Sequence, residues 1–268
     1  MKRRDPLFVF GLVVLGLVFL TAVVGPSLRY SPFVKEGLPF QPPSMQFWLG
    51  TDEQGRDIFA RIAEGAKVSL SVGFLVQIIS LVVGIVVGSL GTFSPKWVST
   101  PLMRFTDGMF AFPDILLAIL IIGVFPGAGF TAVIVALSIT SWPSIARLVQ
   151  AQMATLKDRE FVVAAKANGA GTFYLVTRHI LPQLWGILLA VSMVDLAGTI
   201  LAESTLSFLG IGIQAPQPSW GSMINGARAN LNSHPLTMVW PCLLLSLTIF
   251  ALNFVGDGLR SRLDPKSQ

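Results

Sequence analysis

Charge is what this sequence has least of. Asp, Glu, Lys and Arg make up 12% of its 268 residues against 53% hydrophobic ones, whereas a soluble domain carries about 25% charged residues. With a mean hydropathy of +0.70, water is not the main solvent of the chain. Cysteine is nearly absent: Cys242 is the only one, which excludes an intrachain disulfide and a multi-cysteine metal site. Histidine is scarce too. His179 and His234 lie far apart, without Cys or carboxylate partners at ligand spacing, which favours surface or capping roles over metal binding. No G-x-x-x-x-G-K-[ST] stretch occurs, and without that backbone cradle and its lysine there is no P-loop. Gly210, Gly212 and Ala215 have the spacing of a dinucleotide fingerprint, but no strand or βαβ pattern surrounds them, so the spacing is coincidental. The net charge of +5 is spread between apolar runs and not gathered on one face, which argues against a nucleic-acid partner. Internal repeats, low-complexity tracts and a paired nucleophile and base within the apolar runs are also missing, so an intramembrane enzyme is disfavoured.

What the chain has in abundance is apolar runs, at 7–24, 68–93, about 105–124, 130–149, 184–201 and 236–255. A bilayer core of ~30 Å takes ~20 helical residues. The expected fold is therefore an all-α membrane protein of six transmembrane helices with lipid as its solvent. Lys2, Arg3 and Arg4 before the first run resemble the front of a secretory signal, but the run exceeds the ~7 to 15 apolar residues of a cleavable one. It is expected to stay as a first helix that Gly25 and Pro26 end. The mixed residues up to Glu64 then form an external loop, and Pro126, Gly127 and Gly129 turn the chain tightly after the third run. Two parts are expected: 1–66, a helix and external loop, and 67–268, a five-helix core with a polar loop at 150–183.

Orientation follows from Lys and Arg, which short cytoplasmic loops retain in excess. With the amino terminus inside, 13 of the 19 Lys and Arg fall in cytosolic segments. An even number of spans returns the carboxyl terminus to the cytosol.

The stretch 158–182, DREFVVAAKANGAGTFYLVTRHILP, is too polar to span yet patterned like two short helices. Asp158 is the expected N-cap and Glu160 follows it; Ala164, Ala165 and Ala167 are strong helix formers. Gly169 or Gly171 supplies a left-handed turn, and Pro182 marks the entry to the fifth span. Phe161 and Tyr174 are anchors for a docked protein, since aromatic side chains carry much of the energy at interfaces. A plain connector between two spans is the alternative reading of the same pattern.

This segment resembles the EAA loop of bacterial ABC importer permeases. Ala164, Ala165, Gly169, Leu181 and Pro182 match that pattern, while Val163 replaces its glutamate and His179 an isoleucine. Segments 48–70 (WLGTDEQGRDIFARIAEGAKVSL), 203–224 (ESTLSFLGIGIQAPQPSWGSMI) and 253–265 (NFVGDGLRSRLDP) are similar to the dipeptide, oligopeptide and nickel branch. The G-T-D-x-x-G-R-D pattern at 50–57 is similar to its C-type subunit. The resemblance implies a permease of the bacterial cytoplasmic membrane with both termini inside. It implies a second permease subunit, two cytoplasmic ATPase subunits docked on the EAA helices, and an extracytoplasmic solute-binding protein. It implies no cofactor in this chain, with ATP and Mg on the partners, and peptides or a related small solute such as a nickel chelate as cargo.

A charge at a span centre costs at least ~2.5 kcal/mol, so acids in the runs should not face lipid. Asp195, nearest a span centre, is the first choice for lining the solute path, with a helix–helix hydrogen bond as its alternative role; Glu203 is a second candidate for the path, but like Asp107 and Asp114 it lies nearer a run end or a proline, where capping is expected. Were the chain a self-sufficient ion-coupled carrier, Asp195 would be its coupling acid. Gly84 and Gly88 form a G-x-x-x-G pair expected to pack closely against a neighbouring helix, and Pro113, Pro143 and Pro241 interrupt runs.

Overall fold

Long apolar runs in hydrocarbon leave their amides no water to bond, so the backbone must satisfy itself within each segment, as a helix does. A computed structural model of the chain describes residues 5–28, 30–124 and 129–263. In it the helices are α1 (Pro6–Leu28), α2 (Ile58–Phe93), α3 (Lys96–Met109), α4 (Asp114–Val124), α5 (Phe130–Leu156), α6 (Glu160–Ala167), α7 (Thr172–Tyr174), α8 (Leu181–Phe208), α9 (Trp220–Ala227) and α10 (Leu236–Leu263). A π-helical turn, Leu175–Ile180, joins α7 to α8. Among the described residues the only β feature is a bridge between Thr51 and Asp57. The basic residues Lys2, Arg3, Arg4, Arg29 and Lys266, and the expected turn at Pro126 and Gly127, lie outside the described residues.

Five helices are long and apolar enough to cross a membrane: Pro6–Leu28, Ile58–Phe93, Phe130–Leu156, Thr172–Phe208 and Leu236–Arg262. The third expected span is different. In place of one helix over 105–124, α3 and α4 meet at an angle of 94°, a bent pair that adds a sixth crossing to the five when the two are taken as one span. Pro113 disfavours helical geometry at Phe112, and α4 alone, at ~1.5 Å per residue, is about 16 Å long and too short to cross. Three other boundaries shift. The first helix runs through Gly25 and Pro26 to Leu28, because a proline in the last turn removes little of the helical ladder and Gly25 lets α1 press against Ala63. The external loop gives way to α2 already at Ile58, capped by Asp57, whose carboxylate accepts from the Phe59 amide at 3.0 Å. The polar stretch 94–104 between the second and third runs is mostly α3, which buries Met103 and Thr106.

Among the spans α5 is the most enclosed and α1 the least. Leu12, Val13, Leu17, Phe19 and Leu20 of α1 are exposed, as befits a face whose surroundings are hydrocarbon. The α2–α5 contact is set by small residues. A Cβ at Gly84 would lie 2.6 Å from Ile145, and one at Gly88 2.6 Å from the Ala146 carbonyl and 2.7 Å from Val149. The two helices run parallel there, with backbones in near contact, as the G-x-x-x-G spacing leads one to expect. Forcing a side chain between them should cost about 1–3 kcal/mol, the usual range for overpacking. Gly88→Val is accordingly expected to lower the thermal midpoint of the detergent-purified protein. Gly16→Val, at a site with open space around the added carbon, should leave it unchanged; equal midpoints for both variants would refute this packing.

Candidate functional site

Two regions hold the motifs, and each is built from short-range bonds that the sequence encodes. The first is the arm between α5 and α8. Its helix α6 starts one residue later than expected: Arg159, not Asp158, is the N-cap, without a side-chain bond. Glu160 in the first turn and Lys166 in the last suit the partial charges of the helix ends. The helix stops at a complete Schellman motif. The Ala170 amide donates to the Ala165 carbonyl at 3.1 Å and the Gly169 amide to Lys166 at 2.9 Å, with Gly169 at φ +82°; Gly171 stays in the ordinary region. Only a residue without Cβ adopts that left-handed turn at no cost.

The arm has two faces. Val162, Leu175, Val176 and Ile180 are buried together with Ile145, Val149 and Met153 of α5 and Leu184 and Leu188 of α8, with Ala165 packed against them. Lys166 adds a contact over the Phe93 ring at the end of α2, 6.0 Å from its centroid. The other face carries Phe161, Val163, Ala164 and Tyr174, all exposed. Phe173, which the sequence reading passed over, is the most exposed of them at 82%; its signal was a second aromatic beside Tyr174. Pro182 stands in the first turn of α8, at the entry to the fifth span, and the π-turn before it makes the helical run continuous from Thr172 to Phe208. The proline cannot donate to the carbonyl four residues back, and the π-turn just before it takes up the misfit, as π-turns inside helices do.

The second region is a clasp between residues 50–57 and 203–222. Gly50 (φ +83°) and Gly55 (φ +76°) both take left-handed conformations, and a Cβ on either would collide with a backbone carbonyl, of Gln41 or Gly37. Between them, Thr51 Oγ1 donates to the Leu38 carbonyl and accepts from the Gln41 amide, both at 2.7 Å. Asp52 Oδ1 accepts from the amides of Gln54 (2.9 Å) and Arg56 (3.0 Å). Its Oδ2 pairs with Nε of Arg56 (2.7 Å) and of Arg61 (3.3 Å), and Arg61 Nη1 reaches the Pro32 carbonyl at 3.1 Å. Every residue type in G-T-D-x-x-G-R-D thus has a local geometric task.

The opposing half is as tightly written. Trp220 is fully buried and donates Nε1–H to the Ile62 carbonyl at 3.3 Å. Ser219 and Ser222 form a reciprocal capping box at the start of α9. Gly221 presses on the Ser204 backbone and Gly212 on Ser207, closer than any Cβ allows. Between this half and the first lies a recess of about 280 Å³.

The acids separate into different roles. Glu203 has no exposed surface; its carboxylate accepts from Ser69 Oγ of α2 (2.8 Å), Ser207 Oγ (2.8 Å) and Ser204 Oγ (3.4 Å). In this conformation it faces serines and no open path. Asp195 is half-buried in α8, and its Oδ2 is buried with no hydrogen-bond partner among the described residues. Neither acid lines the recess between the two halves of the clasp. Asp107, expected to cap, instead pairs with Arg147 across α3 and α5, and Arg147 also donates to Gln150 Oε1 (2.8 Å) and the Met103 carbonyl (3.2 Å). His234 stacks on Phe40, rings 3.9 Å apart and 3° from parallel, and His179 meets the Tyr174 ring edge-on at 5.5 Å.

Residues 80–268 match the family described as binding-protein-dependent transport system inner membrane component. The chain is 38% identical over 267 residues to the dipeptide transport system permease protein DppC of Bacillus subtilis, covering 98% of this chain and 83% of that one. It is 36% identical to the oligopeptide transport system permease protein OppC of the same organism, over 98% and 87% of the two chains. The glutathione transport system permease protein GsiD of Pectobacterium atrosepticum is 39% identical over 84% of this chain and 74% of its own. Among solved structures, a chain of the inward-facing MetNI methionine ABC transporter superposes with a TM-score of 0.62 at 20% identity, over 75% of this chain and 94% of that one.

Proposed function

Because the chain belongs to the family of binding-protein-dependent transport system inner membrane components, we propose that it is the C-type permease subunit of an ATP-driven importer of short peptides. Relatives named as dipeptide and oligopeptide permeases, similar over nearly the whole chain, support that cargo over a nickel chelate. A second permease subunit completes the path. Two ATPase subunits carry ATP and Mg in the cytosol, and a solute-binding protein delivers peptide from outside. The termini and the α5–α8 arm then face the cytosol, and the clasp faces out.

The observation that carries this reading is the two-faced arm. One face is fused to α5 and α8 through Val162 and Leu175, so force on the arm reaches both spans as a rigid body. The other presents Phe161, Phe173 and Tyr174, large exposed aromatic side chains that an ATPase groove would cover. On one face of α8, Val194 and Leu201 are exposed and Gly198, one turn from each, has open space around it. That stripe suits the second permease subunit and would place Asp195 beside the solute path.

The test is a pull-down of the ATPase pair by Phe161→Ala, Phe173→Ala and Tyr174→Ala variants in detergent. Anchors of this kind are worth about 2 kcal/mol or more, so ATPase affinity should fall ~30-fold for the best of them, with solute-stimulated hydrolysis falling in step. Unaltered affinity in the triple variant would show that the arm is only a connector.

A further inference from the structure

The recess between the two halves of the clasp is unusual in its chemistry. Five of its lining side chains are carboxamides, Gln54, Gln214, Gln217, Asn225 and Asn230. A carboxamide offers both donors and an acceptor, which is the hydrogen-bonding complement of a peptide backbone and is indifferent to the side chains that backbone carries; Gln214 spends its amide nitrogen on the Gly210 and Gly212 carbonyls (2.7 and 3.4 Å). Two charged poles stand in the same recess. Glu53 is exposed and accepts one bond, from Asn230 Nδ2 at 3.2 Å; its Oε1 looks toward Gly226, where an added Cβ would lie 4.0 Å away, so bare backbone leaves it approachable. In the same recess Asp52 is shared between Arg56 and Arg61, so two guanidiniums answer one carboxylate there, and Glu53 also acts electrostatically on Arg61. Ile58, Ile213 and Met223 supply apolar wall in the same recess. The volume, about 280 Å³, is just under the ~300 Å³ at which pockets for small molecules begin, which suits two or three residues and not a longer chain.

We propose that this recess is an external docking site for the free termini and backbone of a di- or tripeptide, with Glu53 taking the ammonium end, the Arg56–Arg61 pair the carboxylate end, and the carboxamides the peptide groups between. The proposal rests on the peptide-importer reading and adds to it a solute contact on this subunit before the membrane is entered. Recognition of termini and backbone alone explains how one site accepts many sequences, since nothing in it selects a side chain beyond size.

The chain's single cysteine makes the test direct. In a Cys242→Ala background, Gln217→Cys places a thiol at the exposed rim of the recess. The full transporter, in proteoliposomes without nucleotide or binding protein, is labelled with a membrane-impermeant maleimide in the presence of tri-alanine. At about four times its Kd, tri-alanine should slow labelling ~fivefold, the factor 1 + [L]/Kd. Tri-alanine acetylated at one end and amidated at the other should protect far less, and Glu53→Gln should reduce protection by the free peptide to that level. Equal labelling rates with and without tri-alanine, or equal protection by the blocked peptide, would overturn the proposal. So would protection by peptide-free binding protein where tri-alanine gives none, which would make the recess a socket for that protein. ATP-driven uptake of tri-alanine with binding protein in the same vesicles separates the two readings. Uptake without protection rejects the site and keeps the importer, whereas protection without uptake of any short peptide keeps the site and rejects the importer.

Discussion

Trp220→Ala is expected to be the most damaging single substitution in the clasp. The indole is fully buried, packs against Gly65 at the first turns of α2, and shares an apolar cluster with Val18 of α1, Leu196 of α8 and Leu245 of α10. The cluster around the indole therefore draws on α1, α2, α8 and α10. Removing it should cost about 3–5 kcal/mol, the range for a large aromatic truncated in a packed interior, and leaves the Ile62 carbonyl without its side-chain donor. The measurement is the thermal midpoint of the purified protein in detergent. Trp220→Phe, which keeps most of the volume and loses the N–H, should recover more than half of the loss. A Trp220→Ala protein as stable as the parent would mean that the clasp does not hold these helices together.

Glu203→Ala should come next. Its carboxylate is the common acceptor for Ser69, Ser207 and Ser204, and Ser207 in turn accepts from the Ile213 amide at 2.9 Å. Truncation strands buried hydroxyls, each worth about 1–3 kcal/mol when left unsatisfied, so a loss of ~3 kcal/mol is expected. Glu203→Gln keeps an acceptor oxygen of the same reach and should retain most of the stability. The pair also discriminates roles by transport assay. If Glu203 lines the solute path and is not a structural knot, Gln will stop uptake while leaving the thermal midpoint alone.

Both predictions concern partners that the sequence reading did not connect. Ser69 and Glu203 stand 134 positions apart, and Trp220 and Ile62 158 apart; no periodicity or spacing relates such pairs. The prolines make the same point. Pro143 and Pro241 are buried and stay inside α5 and α10, where neighbouring helices hold the chain in line. Pro113 is exposed, has no such support, and breaks the third span at a sharp angle. The residue type was the same, and packing decided the outcome. Phe173 was overlooked because its exposure depends on how the arm is set against α5 and α8, which an aromatic in sequence does not reveal.

Where a feature rests on bonds between near neighbours, it was legible. The left-handed turn at Gly169, the turn chemistry of 50–57 and the close approach at Gly84 and Gly88 each follow from a residue type meeting a steric requirement within a few positions or one helix turn. By itself, then, the sequence determined that the chain is helical and lives in lipid, and where most of its crossings lie, because an apolar run in hydrocarbon can satisfy its amides only locally. Which acid became a knot, which proline became a corner and which aromatic stayed outside were decided by the tertiary structure alone. Those outcomes depend on side chains that other helices deliver from far along the chain, at distances only the assembled bundle fixes.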